Sequence, residues 1–181
     1  LSLNPGRIWP GNSAFMNSRK PIAAQFVFNG QDIYIIGNHF NSKGEDGPLY
    51  GDQQPPQTPS ERQRIAQAKA VNGFVRDILD INPKAMIVVL GDLNDFPWSA
   101  SIQTLEGDLL ENLVNNLPEN QRFTYLHVGN GQTLDQMLAS RSLSGRLVDY
   151  QVAHINSLSL PKEASSDHDP VVAIFDLSAI E

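Results

Sequence analysis

Ala85–Leu90 (AMIVVL) is an unbroken apolar run that ends on Gly91-Asp92. A short run with no alternating polar residue has no face to offer to water, so it fits a strand buried on both faces. A chain containing such a strand must supply cover above and below one sheet. The flanking segments can provide it. Pro21–Phe28 (PIAAQFVF) and Asp32–Phe40 (DIYIIGNHF) are β-prone and separated by Asn29-Gly30, which predicts a hairpin on a favoured turn dipeptide. Ile65, Ala68, Val71, Val75, Ile78 and Leu79 recur at three-to-four spacing and predict one amphipathic helix, stopped by Asn82-Pro83. Thr58-Pro59-Ser60-Glu61 reads as its start, with Thr58 as cap, Pro59 in the first helical position and Glu61 closing a capping box.

Asn41–Pro59, rich in Gly, Pro and Gln, has no periodicity and is read as a long loop of the kind that is usually functional. Ser99–Leu117 is mixed and predicts short helices. Phe123–Val128 and Leu134–Ala139 read as strands on either side of a Gly129-Asn130-Gly131 turn, followed by strands at Leu147–Ile155 and Val171–Leu177. The balance is α/β, mostly sheet, in a single domain.

Composition narrows the chemistry. Of 181 residues, 40% are hydrophobic and 18% charged, which fits a packed globular chain, and no apolar run is long enough to span a membrane. The absence of cysteine excludes disulfides, thiol nucleophiles and thiolate metal sites. A net charge of −7 argues against a protein that grips nucleic acid by bulk positive charge. It does not exclude an enzyme that gathers a phosphate through a bound cation.

Four polar clusters stand at or near strand ends: Asn38-His39, Gly91-Asp92-Leu93-Asn94, Leu134-Asp135 and Ser166-Asp167-His168-Asp169-Pro170. Singly, each has a structural alternative. Asp92 can cap a turn, His39 can be a hydrogen-bonded structural histidine, Asp135 can pair with an arginine, and Ser166-Asp167 can cap a helix. Together they place carboxylates, an amide and imidazoles at the sheet edge where layered α/β folds collect ligands.

In this order the clusters resemble the signature series of the endonuclease/exonuclease/phosphatase superfamily, over about Arg19 to Leu177. Within it, Asn38–Lys43 (NHFNSK) and Thr58–Arg64 (TPSERQR) resemble the secreted bacterial nucleases. The resemblance implies a two-sheet β-sandwich flanked by helices and a metal-dependent phosphodiesterase cutting DNA, with RNA as the alternative, outside the cell. It implies that Asp92 and Asn94 orient water and hold phosphate or metal, and that Asp167 is a metal ligand. His168 would act as acid or base on the phosphoryl oxygens with Asp135 fixing its tautomer, and His39 would be its partner. Asn41 and Lys43 are placed as phosphate contacts. Hard oxygen donors favour Mg²⁺, with Mn²⁺ or Ca²⁺ as alternatives.

The chain departs from the family pattern before His39, where Asp32 is its one acidic residue and no Glu is present; Glu45 and Asp46 follow the histidine. Residues 1–181 are therefore read as the later part of such a domain, with a partial sandwich, self-association over the uncovered apolar face, and weak activity in isolation. The rival readings are a sphingomyelinase or inositol-phosphate phosphatase of the same fold, and a non-catalytic module that keeps the scaffold.

Overall fold

The hairpin expected around Asn29-Gly30 forms, and both turn residues adopt positive φ (49° and 72°), the backbone that a tight turn between twisted strands requires. The computed structural model describes residues 1–48, 50–160 and 162–178. In chain order the strands are β1 (Gly6–Arg7), β2 (Ile22–Phe28), β3 (Gln31–His39), β4 (Met86–Asp92), β5 (Leu110–Asn112), β6 (Tyr125–His127), β7 (Asn130–Gln132), β8 (Asp135–Ser140), β9 (Leu147–Val152) and β10 (Val171–Phe175). The α-helices are α1 (Glu61–Ile81), α2 (Ala100–Glu106) and α3 (Arg141–Ser144). None of the described helices is long and apolar enough to cross a membrane.

Six strands form the main sheet in the order β1-β2-β3-β4-β8-β5. β3 and β4 run parallel, which requires a crossover, and the long loop plus α1 is that crossover. β4 is central, as its apolar run predicts, and its side chains alternate between two cores. Ile87 and Val89 pack with Ile36 and Leu138 against Ala68, Val71 and Val75 of α1 and Ile102 and Leu105 of α2. Met86 and Val88 face the other way, onto a layer containing Tyr150 of β9 and Val171, Ala173 and Phe175 of β10.

That second layer is the β9-β10 pair, so the sandwich is present and narrow. It leaves Ile22, Phe26 and Phe28 of β2 about half exposed on a strand whose register partner Ile33 belongs to the covered core.

Three local expectations change. The strands around residue 129 are not partners of each other: β6 pairs with β7 across Val128-Gly129, while β8 leaves to pair with β4 and β5. Ser99–Leu117 contains a strand, β5, besides α2 and a 3₁₀ turn. Helix α1 starts at Glu61, two residues after its Pro59 signal, and Ser60 before it is held by the Asp46 carboxylate through both its amide and its hydroxyl. Thr58 bonds the Glu61 side chain at 3.1 Å and does not cap.

Candidate active site

Strand register assembles the site. His39 on β3 pairs with Asp92 on β4, and Asp92 pairs with Asp135 on β8, so three polar side chains stand abreast at one sheet edge. The period of two puts them on the same face. They stand an even number of positions from the core residues Ile33, Met86 and Met137 of their own strands, so this is the face covered by β9-β10. Gly91 makes the approach feasible. Its φ is +131°, and a Cβ there would lie 2.0 Å from the Asn38 carbonyl oxygen.

His168 arrives from a distant part of the chain. A β-bridge joins it to Tyr125, Asp169 donates its amide to the Thr124 carbonyl, and the Asn156 amide bonds the His168 carbonyl at 2.6 Å. Thr124 Oγ1 accepts the amides of Leu134 and Asp135, tying the same segment to β8. The result is a 2.6 Å contact between His168 Nδ1 and Asp135 Oδ2. Around them lie His39 Nε2, 3.2 Å from Asp92 Oδ2, and Asn94, whose amide nitrogen donates to Asp92 Oδ2 and to the Phe40 carbonyl at 3.2 Å each. Asn94 also donates its backbone amide to Asp92 Oδ1 at 2.9 Å, in a turn where its φ is +50°.

One open cleft of about 510 Å³ is lined by Arg19, His39, Ser42, Asp92, Asn94, Asp135, Asp167 and His168. The structure thus brings together His39, Asp92, Asn94, Asp135, Asp167 and His168, every catalytic and metal candidate of the sequence. The two phosphate candidates fall outside it. Lys43 is bound to Asp95 Oδ1 at 2.6 Å and sits over the Phe96 ring, and the backbone of Asn41 is engaged by Gln67 and Arg64. Arg19 is the cation that lines the cleft instead, and among the described residues it has no ion-pair partner. Nothing in its local sequence distinguishes it from Lys20.

The two imidazoles are driven apart electrostatically. The bond to Asp135 is the main cause that raises the pKa of His168, overcoming the cost of burial. His39 is lowered, chiefly by desolvation with help from Arg19 and His168. Asp92 is raised, first by burial and then by the neighbouring Asp135 carboxylate. Environments that separate like groups in this way mark an acid and a base.

Ligand atoms of Asp92, Asp135 and His168 lie within 4.8 Å of one another. The Asp135–His168 bond uses Oδ2 and Nδ1, and Asp92, Asn94 and Asp167 line the same cleft with further oxygen donors. Crowded carboxylates, of which Asp92 is pushed up by burial and by Asp135, and a hard oxygen donor set fit a divalent ion of the Mg²⁺ class.

Beneath the cleft lies a polar core that the sequence reading missed. Arg64 is 1% exposed, and its guanidinium bonds Asp95 at 2.8 Å, Asp46 at 3.1 Å and the Ser60 hydroxyl. Asp95 also accepts from Ser101 at 2.7 Å. The signal was present: Arg64 falls on the buried stripe of α1 with Ala68, Val71 and Val75. Asp46 is fully engaged there, so it is not a replacement for a missing metal ligand. Asp169 is a second such anchor, accepting the amides of Asn156 and Ser157 at 2.9 Å each and contacting His154 at 3.1 Å.

Burial alone would raise the pKa of both Asp95 and Asp169, but Lys43, Ser101 and Arg64 in one case and Ser157, His154 and Asn156 in the other hold them below the ordinary 3.8. A carboxylate depressed in the folded state stabilises it above the unfolded pKa and loses that contribution as pH falls through the folded value. Stability is therefore expected to decline below about pH 4, with a shallower acid limb in Asp169→Asn; urea midpoints across that range measure it, and an unchanged limb would contradict it.

A model of the Endonuclease/Exonuclease/phosphatase family matches residues 7–162. Among curated proteins none matches. Three solved structures share the fold. Truncated Caenorhabditis elegans TDP2 is 20% identical with a TM-score of 0.66, over 89% of this chain and 62% of that one. The 3′-5′ exonuclease NExo from Neisseria meningitidis is 22% identical with a TM-score of 0.64, over 96% and 70%. An AP endonuclease from Archaeoglobus fulgidus is 17% identical with a TM-score of 0.62, over 87% and 65%. The chain spans 62% of the TDP2 chain it matches. With its polar clusters assembled at one sheet edge and the match extending over most of its length, this chain belongs to the endonuclease/exonuclease/phosphatase family.

Proposed function

We propose that this chain carries the catalytic residues of a divalent-metal-dependent phosphodiesterase, and that the whole protein is a secreted bacterial nuclease acting on DNA. The observation that carries the reading is the convergence of His39, Asp92, Asp135 and His168 on the cleft lined by Arg19 and Asp167. The extracellular bacterial assignment rests on the NHFNSK and TPSERQR segments alone.

Asp92, Asn94 and Asp167 would hold Mg²⁺, which when bound neutralises charge developing on the phosphoryl oxygens. Asp92 accepts the proton of the attacking water, with Asn94 orienting it. Asp135 accepts Nδ1–H of His168 and favours the imidazolium, whose Nε2–H donates to a phosphoryl or leaving oxygen. His39 stays neutral beside Asp92 and can relay its proton, while Arg19 attracts the phosphodiester.

Nicking of supercoiled plasmid by the full-length protein tests this reading. Cleavage with Mg²⁺ that disappears in EDTA is expected. No cleavage of plasmid, single-stranded DNA or RNA in Mg²⁺, Mn²⁺ or Ca²⁺ would overturn it.

A further inference from the structure

A second cleft of about 890 Å³ opens beside the catalytic one, and Asn94 and His168 line both. Its character is different. Trp98 lines it while 70% exposed, and its ring is stacked on Phe96 with centroids 4.9 Å apart and planes 2° from parallel. Lys43 sits over the Phe96 ring at 4.4 Å from its centroid. A ring has two faces, so with Trp98 on one, Lys43 takes the other. Cation, ring and ring form a ladder whose outermost rung, Trp98, has no aromatic neighbour on its outer face among the described residues. Nearer the catalytic centre, the Tyr125 ring leans on His168 with centroids 4.7 Å apart.

An exposed tryptophan held flat and rigid, with one face unused, is a stacking platform. The group that it suits is planar and aromatic, and must be linked to whatever His168 handles. We propose that this cleft receives an unpaired nucleobase next to the scissile phosphate, so that the preferred substrate is single-stranded nucleic acid, including the unpaired stretches of a supercoiled plasmid; this rests on the phosphodiesterase reading above. Bases in a duplex are stacked on one another and offer no free face. Charge points the same way. The chain carries −7, and the Lys43 ammonium in this cleft is neutralised by Asp95, so this cleft offers little charge to a phosphate and its own contribution has to come from ring contact. A quaternary ammonium headgroup is the other aromatic-seeking phosphodiester substituent; Tyr50 and Tyr125 also line the cleft, and phosphorylcholine is therefore the competing ligand of the test.

The test is isothermal titration calorimetry in EDTA, where no bond is cut, with a short oligothymidylate, a base-free abasic chain of the same length, and phosphorylcholine. The full-length protein and its Trp98→Ala and Trp98→Phe variants are compared. Trp98 is exposed, so neither substitution disturbs the core. The base-bearing strand is expected to bind about 5- to 150-fold more tightly than the base-free one. That ratio should fall to about one in Trp98→Ala and largely persist in Trp98→Phe, which keeps a ring. Equal binding of the two strands by the unaltered protein, a ratio that survives Trp98→Ala, or a response to phosphorylcholine without one to the oligonucleotide would each overturn the proposal. Hydrolysis of bis(p-nitrophenyl) phosphate with Mg²⁺ is run in parallel: its failure sinks the phosphodiesterase reading, whereas the binding ratio judges the stacking site by itself.

Discussion

Replacing His168 by alanine is expected to slow phosphodiester hydrolysis by the full-length protein about 10²- to 10⁴-fold, the usual contribution of a positioned acid or base. The fold should be spared, because the imidazole is 26% exposed and its partners are Asp135 and the Tyr125 ring, not the core. Equal thermal midpoints for the two proteins would separate a chemical loss from a structural one. Asp135→Asn should be milder, since His168 remains but loses the carboxylate that is the main cause of its raised pKa. The sign follows directly. A lower pKa leaves less imidazolium at a given pH, so the alkaline limb of the rate profile should move to lower pH. A His168→Ala rate within a few-fold of the unaltered protein would remove the residue from the mechanism.

Arg64→Met should be the most damaging single substitution to stability, at about 3–5 kcal/mol, which is a large part of the roughly 5–15 kcal/mol that domains typically possess. The methionine fills the volume but leaves the Asp46 and Asp95 carboxylates, 7% and 5% exposed, without the guanidinium that both touch. Lys43 still reaches Asp95, but nothing replaces the fork that joins Asp95, Asp46 and Ser60 at once. Arg64→Lys should rescue little, because one ammonium cannot satisfy that geometry. Since Asp95 directly follows Asn94, the loss should also loosen the catalytic turn, and activity should fall more steeply with temperature than in the unaltered protein. A urea-denaturation shift below about 1 kcal/mol would show that the buried network is not the anchor described here.

The central strand, the hairpin and the long helix were legible because each declares itself within its own residues. An unbroken apolar run, an Asn-Gly between β-prone segments and a three-to-four apolar repeat are local signals of burial and backbone geometry. The same is true of the site's chemistry. Carboxylates, amides and imidazoles at strand ends are conspicuous because such groups cost free energy there unless something uses them.

What the residues could not declare was which strand pairs with which. β8 was legible as a strand after a turn, but its place between β4 and β5 was not, and only that placement sets Asp135 abreast of Asp92. Arg19, Arg64, Asp95 and Trp98 were missed for a related reason. An arginine or aspartate looks the same in sequence whether it is solvated or buried against partners tens of residues away, and its role is decided by who those partners are. The sequence by itself determined the elements and the stock of reactive groups, because both follow from local pattern and side-chain chemistry. The tertiary structure alone decided register, which turned His39, Asp92 and Asp135 into neighbours. It also decided burial, which separated the two histidines in basicity, and the open face of Trp98, because these properties belong to contacts between distant segments.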